Sequence, residues 1–196
     1  MSFLLTVILI VLIVFFIKKY NRLQNLNQEI KEARSNIKVV VERKVAIVNQ
    51  FTELVNSYGE YEKLMQLKVS GNYVEMAKAS SEAVTSIQAL ANTYPELKAS
   101  TNYNTFLQNI AQNESILTEK REAYNSVVKG YNSEIAQIPM VFVASVLGFK
   151  EAPYFDPNNE TEFNAFSGAN TEAIKELAIK GTEKLKDKTE QIKGKF

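Results

Sequence analysis

The sequence predicts an all-α protein, an antiparallel bundle of long helices with a single amino-terminal membrane-anchoring helix. Hydrophobic residues make up 45% of the 196 positions, and there are only seven Gly and four Pro, which favours long regular elements over loops. Over most of the chain, apolar residues recur three or four positions apart, the spacing of one buried helix face. A chain of this size is large enough to bury a core of its own.

Residues 1–19 are predicted to form the membrane anchor. Thr6 is the sole polar residue in the stretch 3–17, and two lysines follow. As an α-helix this stretch would span about 22 Å, against roughly 30 Å for a hydrocarbon core. Snorkelling lysines and an interfacial Tyr20 make up most of the difference. The alternatives are a buried helix and a cleaved signal peptide, which should have a basic start and a small-residue cleavage site.

Residues 20–156 are predicted to form the helical bundle. No Pro or Gly lies between the anchor and Tyr58, so the first helix should continue through the span into a stem. A second helix should end before Pro95. A third should run from about Asn102 to Ile138, where the following proline breaks it. The apolar segment 138–149 is too short to cross a bilayer, and we expect a short buried helix that caps the bundle and ends at Gly148.

The dipeptide Tyr-Asn occurs twice, seven residues apart, within the third helix. Seven residues are close to two helical turns, so both tyrosines extend the apolar face and should be core or rim positions. A ligand site made of phenols and amides is the alternative. Asn125 and Asn132 lie about 100° round the helix, where they bond to a neighbouring element or face water. The same face carries Glu114 and Arg121, again seven residues apart. The two charges could belong to a polar network between helices that fixes their register, or they could lie solvated on the flank of the face. The candidate structural seam comprises Glu114, Arg121, Tyr124 and Tyr131.

The end of the chain offers a candidate partner contact and a tail. Tyr154, Phe155 and Phe163 lie on a proline-punctuated segment, where exposed aromatics could dock a partner or fold back onto the bundle. Residues 157–196 form the predicted tail, and from Thr171 they have the pattern of an exposed amphipathic helix. Packing along the stem and contact with a protein both fit this pattern.

Several motifs, in order, resemble the LemA family over roughly residues 20–156. The resemblance begins at Tyr20-Asn21-Arg22-Leu23, and its other motifs are Tyr94-Pro95 with Leu97-Lys98-Ala99, Asn113-Glu114 followed by Arg121, the two Tyr-Asn pairs, and Gly148-Phe149-Lys150 with Tyr154-Phe155. The amino-terminal half departs from the family at Ala33-Arg34, Ile37-Lys38, Asn49-Gln50 and Tyr61-Glu62, where the family has Ala-Trp, Ile-Asp, Pro-Asn and His-Glu. Any activity tied to that Trp or His therefore does not transfer. The resemblance implies an all-α, membrane-anchored bundle.

Composition argues against enzymatic and nucleic-acid functions. Lys and Arg total 23 and Asp and Glu total 22, so the near-neutral chain has no global field to recruit nucleic acid. The chain has no Cys and no His, which removes thiolate metal sites and the commonest general base. No glycine-rich phosphate loop is present. The sequence predicts no enzyme, no cofactor, and no catalytic or metal site.

The remaining function classes are binding and assembly. We predict a membrane-tethered helical scaffold or adaptor that acts through protein contacts or self-association. The alternative is a module that binds lipid or a small ligand between helices. The expected partners are membrane lipid at the anchor, and either a second copy or an integral-membrane protein.

The expected location is the bacterial inner membrane, crossed once. Five basic residues follow the span within 17 positions: Lys18, Lys19, Arg22, Lys31 and Arg34. Positive charge near a span favours the cytoplasmic side, which predicts the amino terminus outside and the bundle in the cytoplasm. In some relatives a lipoprotein signal replaces the apolar anchor, which implies the opposite side.

Overall fold

The computed structural model describes residues 2–57 and 64–156, Phe166, and the tail positions 175–176, 179–180, 182–183 and 186. In these parts of the chain all regular structure is helical, which confirms the all-α class. The elements are α1 (Ser2–Ser57), α2 (Tyr73–Thr93), α3 (Pro95–Ala99), α4 (Thr101–Ala136) and a 3₁₀ helix (Met140–Phe142).

The helix boundaries follow from local chemistry. The side chain of Asn72 caps α2 by accepting hydrogen bonds from the backbone N–H groups of Val74 and Glu75. Tyr94 separates α2 from α3 in an extended conformation, as expected for a residue that precedes a proline. Pro95 then occupies the first turn of α3, where its missing N–H removes no helical hydrogen bond.

The chain divides into two compact units, residues 31–125 and residues 1–30 with 126–196. In the unit of residues 31–125, α1 and α4 run antiparallel, since Lys44 meets Glu114 and Phe51 meets Phe106. The two phenylalanine rings stack with centroids 4.4 Å apart. The core there also takes side chains from α2 and α3, including Ile87 and Leu97.

The unit of residues 1–30 and 126–196 buries a separate set of side chains. They come from α1, α4 and the turns that follow α4, and they include Leu23, Ile30, Val128, Tyr131, Met140 and Phe149. Tyr20 contacts Phe149 edge to face, with ring centroids 5.4 Å apart. This contact holds the turns that follow α4 against the first part of α1.

The predicted helix over residues 138–149 is wrong. The segment contains only the three-residue 3₁₀ helix and turns, and Gly148 adopts φ 79°, a left-handed conformation that glycine tolerates. It is only partly buried. Met140, Ala144 and Phe149 are covered, but other apolar side chains of the segment, such as Ile138 and Phe142, remain exposed. Its apolar residues therefore do not all serve the core.

The other helix predictions agree with the structure more closely. The first helix runs without a break from the apolar stretch into the stem and is described as far as Ser57. The third ends at Ala136, two positions before the predicted Ile138. The described tail positions from 175 onward are helical and exposed, and Glu176 Oε2 and Lys180 Nζ lie 4.0 Å apart as an i,i+4 pair. The apolar side of the predicted tail helix, which includes Leu177 and Leu185, lies outside the described residues. The division into 1–19, 20–156 and 157–196 stays a prediction.

Candidate functional site

The apolar start of α1 is uncovered. Side chains from Phe3 to Val14 are exposed, and among the described residues this is the one helix long and apolar enough to cross a membrane. An exposed stretch of this kind differs from a core helix, which would be covered by its own protein. The structure is thus consistent with the predicted anchor.

A buried carboxylate lies beside the basic residues that follow that stretch. Glu134 of α4 forms ion pairs with Lys19 and with Arg22, whose Nε lies 3.4 Å from Oε2. The Glu134 side chain is only 8% exposed, so the two cations compensate a charge that has lost most of its water. The cluster was not predicted, because Glu134 lies 115 residues from Lys19 and its only local signal is its place directly before the apolar Ile135.

A second buried charge lies in the unit of residues 31–125. Lys44 of α1 is 5% exposed, and its Nζ lies 2.5 Å from Glu114 Oε1 and donates a hydrogen bond to Ser81 Oγ over 2.8 Å. It therefore joins α1, α2 and α4. The predicted seam residue Glu114 thus takes its ion pair from Lys44, while Arg121 is half-buried on the same helix. Coupling between Glu114 and Arg121 stays a prediction.

Tyr124 and Tyr131 are fully buried, as expected of core positions. Burial raises the pKa of Tyr124 to about 12, an effect that the charge of Arg34 partly offsets. Burial likewise raises the pKa of Tyr131 to about 12, partly offset by the backbone of Lys150. The ring of Phe166 contacts Tyr131 edge to face at 6.0 Å. Both phenols are held neutral at ordinary pH and serve packing.

Three asparagines each pair with the backbone of a single residue. Asn49 and Asn56 of α1 donate to and accept from Leu67 and Leu64 respectively, with all four distances between 2.7 and 2.9 Å. Asn132 of α4 pairs with Ala152 in the same way, over 2.9 and 2.8 Å. We call these three pairs the amide clamps. They fix non-helical segments to helices without a regular ladder.

The three residues of the candidate partner contact differ in exposure. Tyr154 is 50% exposed, Phe155 is half-buried, and Phe163 lies outside the described residues. The clamp at Ala152 lies just before Tyr154 and fixes the backbone that carries it. Tyr154 thus remains available at the surface.

A groove of about 370 Å³ lies between α1, α2 and residues 64–67, the segment that the clamps of Asn49 and Asn56 hold. Its walls include Thr52, Leu64, Leu67, Ala83 and Ile87. The lining is mainly apolar, and its one charged side chain is Glu82. Such a surface suits an apolar ligand better than a polar one.

The described residues are helical wherever they are regular, contain one candidate membrane span, and have buried polar side chains that link their helices. These features define a class of helical bundle proteins with an apolar amino-terminal helix. Within that class, the LemA family model matches residues 33–166, more than half of the chain, and the chain belongs to the LemA family. The match starts at Ala33, later than the resemblance over residues 20–156, and ends at Phe166, ten residues beyond it.

Other similarities are shorter. Magnetosome proteins MamQ 1 and MamQ 2 of Paramagnetospirillum magneticum are each 30% identical over 69 residues, which is 35% of this chain and 25% of either relative. Magnetosome protein MamQ of Magnetospirillum gryphiswaldense is 28% identical over 69 residues, with the same coverage. The chain thus aligns with about a quarter of the length of these curated relatives. No solved structure matches the chain.

Proposed function

We propose that this LemA-family protein is a non-enzymatic, membrane-tethered scaffold or adaptor that acts through protein contacts or self-association. The observation that carries the proposal is the continuity of α1 from Ser2 to Ser57. One helix holds both an uncovered apolar stretch and a buried stripe that includes Leu23, Ile37 and Val48. At about 1.5 Å per residue, the part after Ile17 extends for about 60 Å.

The continuity of α1 matters because a flexible linker would let a domain move independently of its anchor. A helix that is apolar at one end and already packed at Leu23 and Ile30 leaves no such linker between the anchor and the unit of residues 1–30 and 126–196. That is what a scaffold requires. The ion pairs of Glu134 with Lys19 and Arg22 support it, since they attach α4 to α1 directly after the apolar stretch.

We propose the bacterial inner membrane as the location, with a single span and the bundle in the cytoplasm. The basic residues that follow the apolar stretch support this side. The proposed partner is a second copy or an integral-membrane protein, and exposed Tyr154 supports a protein contact. The similarity to magnetosome proteins covers too little of them to carry their role to this chain.

The alternative function is a binding module for lipid or a small apolar ligand. The groove between α1, α2 and residues 64–67 favours this function, because its volume of about 370 Å³ falls within the range of ligand pockets. Its lining contains few polar groups that could fix a ligand's orientation. We therefore rank it second.

Gentle detergent extraction followed by purification separates the two functions. The scaffold should be recovered with a stoichiometric protein partner or as a homo-oligomer, and Tyr154→Ser should reduce that recovery. Val69→Ser is the matched control, because Val69 is an exposed apolar residue of the other unit. Recovery of a monomer that carries bound lipid and no protein would instead favour the binding module.

A further inference from the structure

Four apolar side chains after α4 have no role in the core. Their exposed fractions are 79% for Ile138, 47% for Val141, 73% for Phe142 and 56% for Val146. We call these four residues the apolar ridge. No charged residue occurs from Gln137 to Phe149, so the surface lacks the charges that normally keep an exposed loop in water.

Both ends of this segment contact α1 at residues 19–22, directly after its apolar stretch. Before the ridge, Glu134 binds Lys19 and Arg22. After it, Phe149 packs on Tyr20, with ring centroids 5.4 Å apart. Lys19 and Tyr20 are neighbours on α1, so both attachments lie at one level of the helix.

That level is where α1 would leave a bilayer. Ile17, the last apolar residue of the stretch, precedes Tyr20 by three positions, or about 4.5 Å along the helix axis. The change in burial along α1 agrees, because residues 3–14, Ile17 and Lys18 are exposed, whereas Phe15, Phe16, Lys19 and Tyr20 are half-buried. Cover on one side of α1 therefore begins about one turn before Lys19.

We propose that the apolar ridge inserts into the interfacial layer of the leaflet from which α1 emerges, as a second membrane contact beside the span. The inference rests on the proposed membrane anchoring. Lipid is the occupant because both ends of the ridge segment are attached at Lys19 and Tyr20, directly after the apolar stretch of the proposed anchor. Aromatic and aliphatic side chains on an uncharged segment are the chemistry that this layer accepts.

The ridge gives the protein two points of attachment on one side of the membrane. A single helix can tilt and rotate within the bilayer, and a neighbouring interfacial contact restricts both motions. The ion pairs of Glu134 and the Tyr20–Phe149 contact transmit that restriction to the unit of residues 1–30 and 126–196. The ridge thus orients the proposed partner contact at Tyr154, which lies in the same unit.

The test uses single tryptophans in the full chain, which has no Trp of its own. Phe142→Trp reports the ridge, Leu9→Trp reports the anchor, and Met65→Trp is the control, because Met65 is 87% exposed in the other unit. Each variant is placed in phosphatidylcholine vesicles whose acyl chains carry bromine either near the headgroup or near the chain end. Circular dichroism checks that each variant keeps its helix content, and Val146→Trp replaces Phe142→Trp if that variant fails.

We expect blue-shifted emission from the ridge tryptophan, with stronger quenching by bromine near the headgroup than by bromine near the chain end. Leu9→Trp should show the opposite preference, and Met65→Trp should resist quenching. If Leu9→Trp is quenched but Phe142→Trp behaves like the control, the ridge inference is overturned while the anchoring stands. Blue-shifted but unquenched emission from Phe142→Trp would likewise overturn it, since a protein would then cover the ridge. An unquenched Leu9→Trp would overturn the anchoring itself.

Discussion

The side chain of Asn132 forms two hydrogen bonds with the backbone of Ala152, 20 residues further along the chain. Asn132→Ala removes both and leaves the backbone N–H and C=O of buried Ala152 without this partner. We therefore expect a loss of about 1 to 3 kcal/mol in the free energy of unfolding. Asn109→Ala, on an exposed position of the same helix, should change it by less than about 0.5 kcal/mol. Urea unfolding of both variants measures the difference, and equal small losses would show that the clamp contributes nothing.

The ion pair of Lys44 and Glu114 should be energetically coupled. Lys44 is buried, so removing Glu114 alone leaves its charge poorly compensated, and a double-mutant cycle with alanine should give a coupling of about 0.5 to 3 kcal/mol. The control is the cycle of Lys38 and Glu42, a partly exposed i,i+4 pair whose charged atoms lie 3.7 Å apart, where about 0.5 kcal/mol or less is expected. A zero coupling for Lys44 and Glu114 would contradict the structure. The cycle of Glu114 with Arg121 tests whether the predicted seam extends further along α4.

The buried tyrosines should make stability fall at alkaline pH. As the pH rises from 10 towards about 12, the unfolded chain loses the protons of Tyr124 and Tyr131 while the folded chain keeps them. The unfolded state then binds fewer protons, so the free energy of unfolding decreases, by at most about 1.4 kcal/mol per pH unit for each tyrosine. Tyr124→Phe and Tyr131→Phe retain the ring without the ionisable group. Each variant should lose less stability than the parent over this interval, and an identical pH dependence would contradict the assignment.

Truncation of the same tyrosines tests their packing. Tyr124→Ala or Tyr131→Ala removes a fully buried ring and should lower the free energy of unfolding by about 2 to 4 kcal/mol. Tyr154→Ala, at a half-exposed position, is the control and should cost clearly less. Thermal or urea unfolding compares the three. Negligible losses at both buried positions would favour a surface role for them.

The side of the membrane can be tested because the chain has no Cys. A cysteine introduced at exposed Met65 should be labelled by a membrane-impermeant maleimide only after cell lysis, if the bundle is cytoplasmic. Any outer membrane is permeabilised beforehand in both samples. Equal labelling of intact and lysed cells would place the bundle on the other side and overturn the argument from basic residues.

The fold class and the long helices could be predicted because helix periodicity is a local signal. The spacing of Leu23, Ile30 and Ile37 on α1 requires only one buried face, and Pro95 and Pro139 mark boundaries by simple geometry. The prediction of a buried helix at 138–149 was wrong because apolar composition shows that a segment is poorly soluble in water but not whether protein covers it. A surface that faces lipid and a protein core have the same composition.

The polar links could not be predicted because their partners are far apart in sequence. Lys44 and Glu114, like Asn132 and Ala152, meet only when helices pack, and nothing local specifies the pairing. A signal was nevertheless present. Lys44 interrupts the apolar face beside Val45, and Asn49 occupies a helix-interior position that asparagine disfavours. Such exceptions mark side chains whose partner lies elsewhere in the fold.

Membrane tethering by α1 is most directly tested by alkaline carbonate extraction of membranes that contain the intact chain. Insertion of the apolar stretch is favourable by roughly 4 to 8 kcal/mol, and one arginine at its centre costs about 2.5 to 3.5 kcal/mol. The intact chain should therefore stay in the membrane pellet, whereas the double variant Leu9→Arg, Ile13→Arg should be released into the supernatant with its helix content retained. Release of the intact chain by carbonate would contradict the tether and, with it, the proposed scaffold.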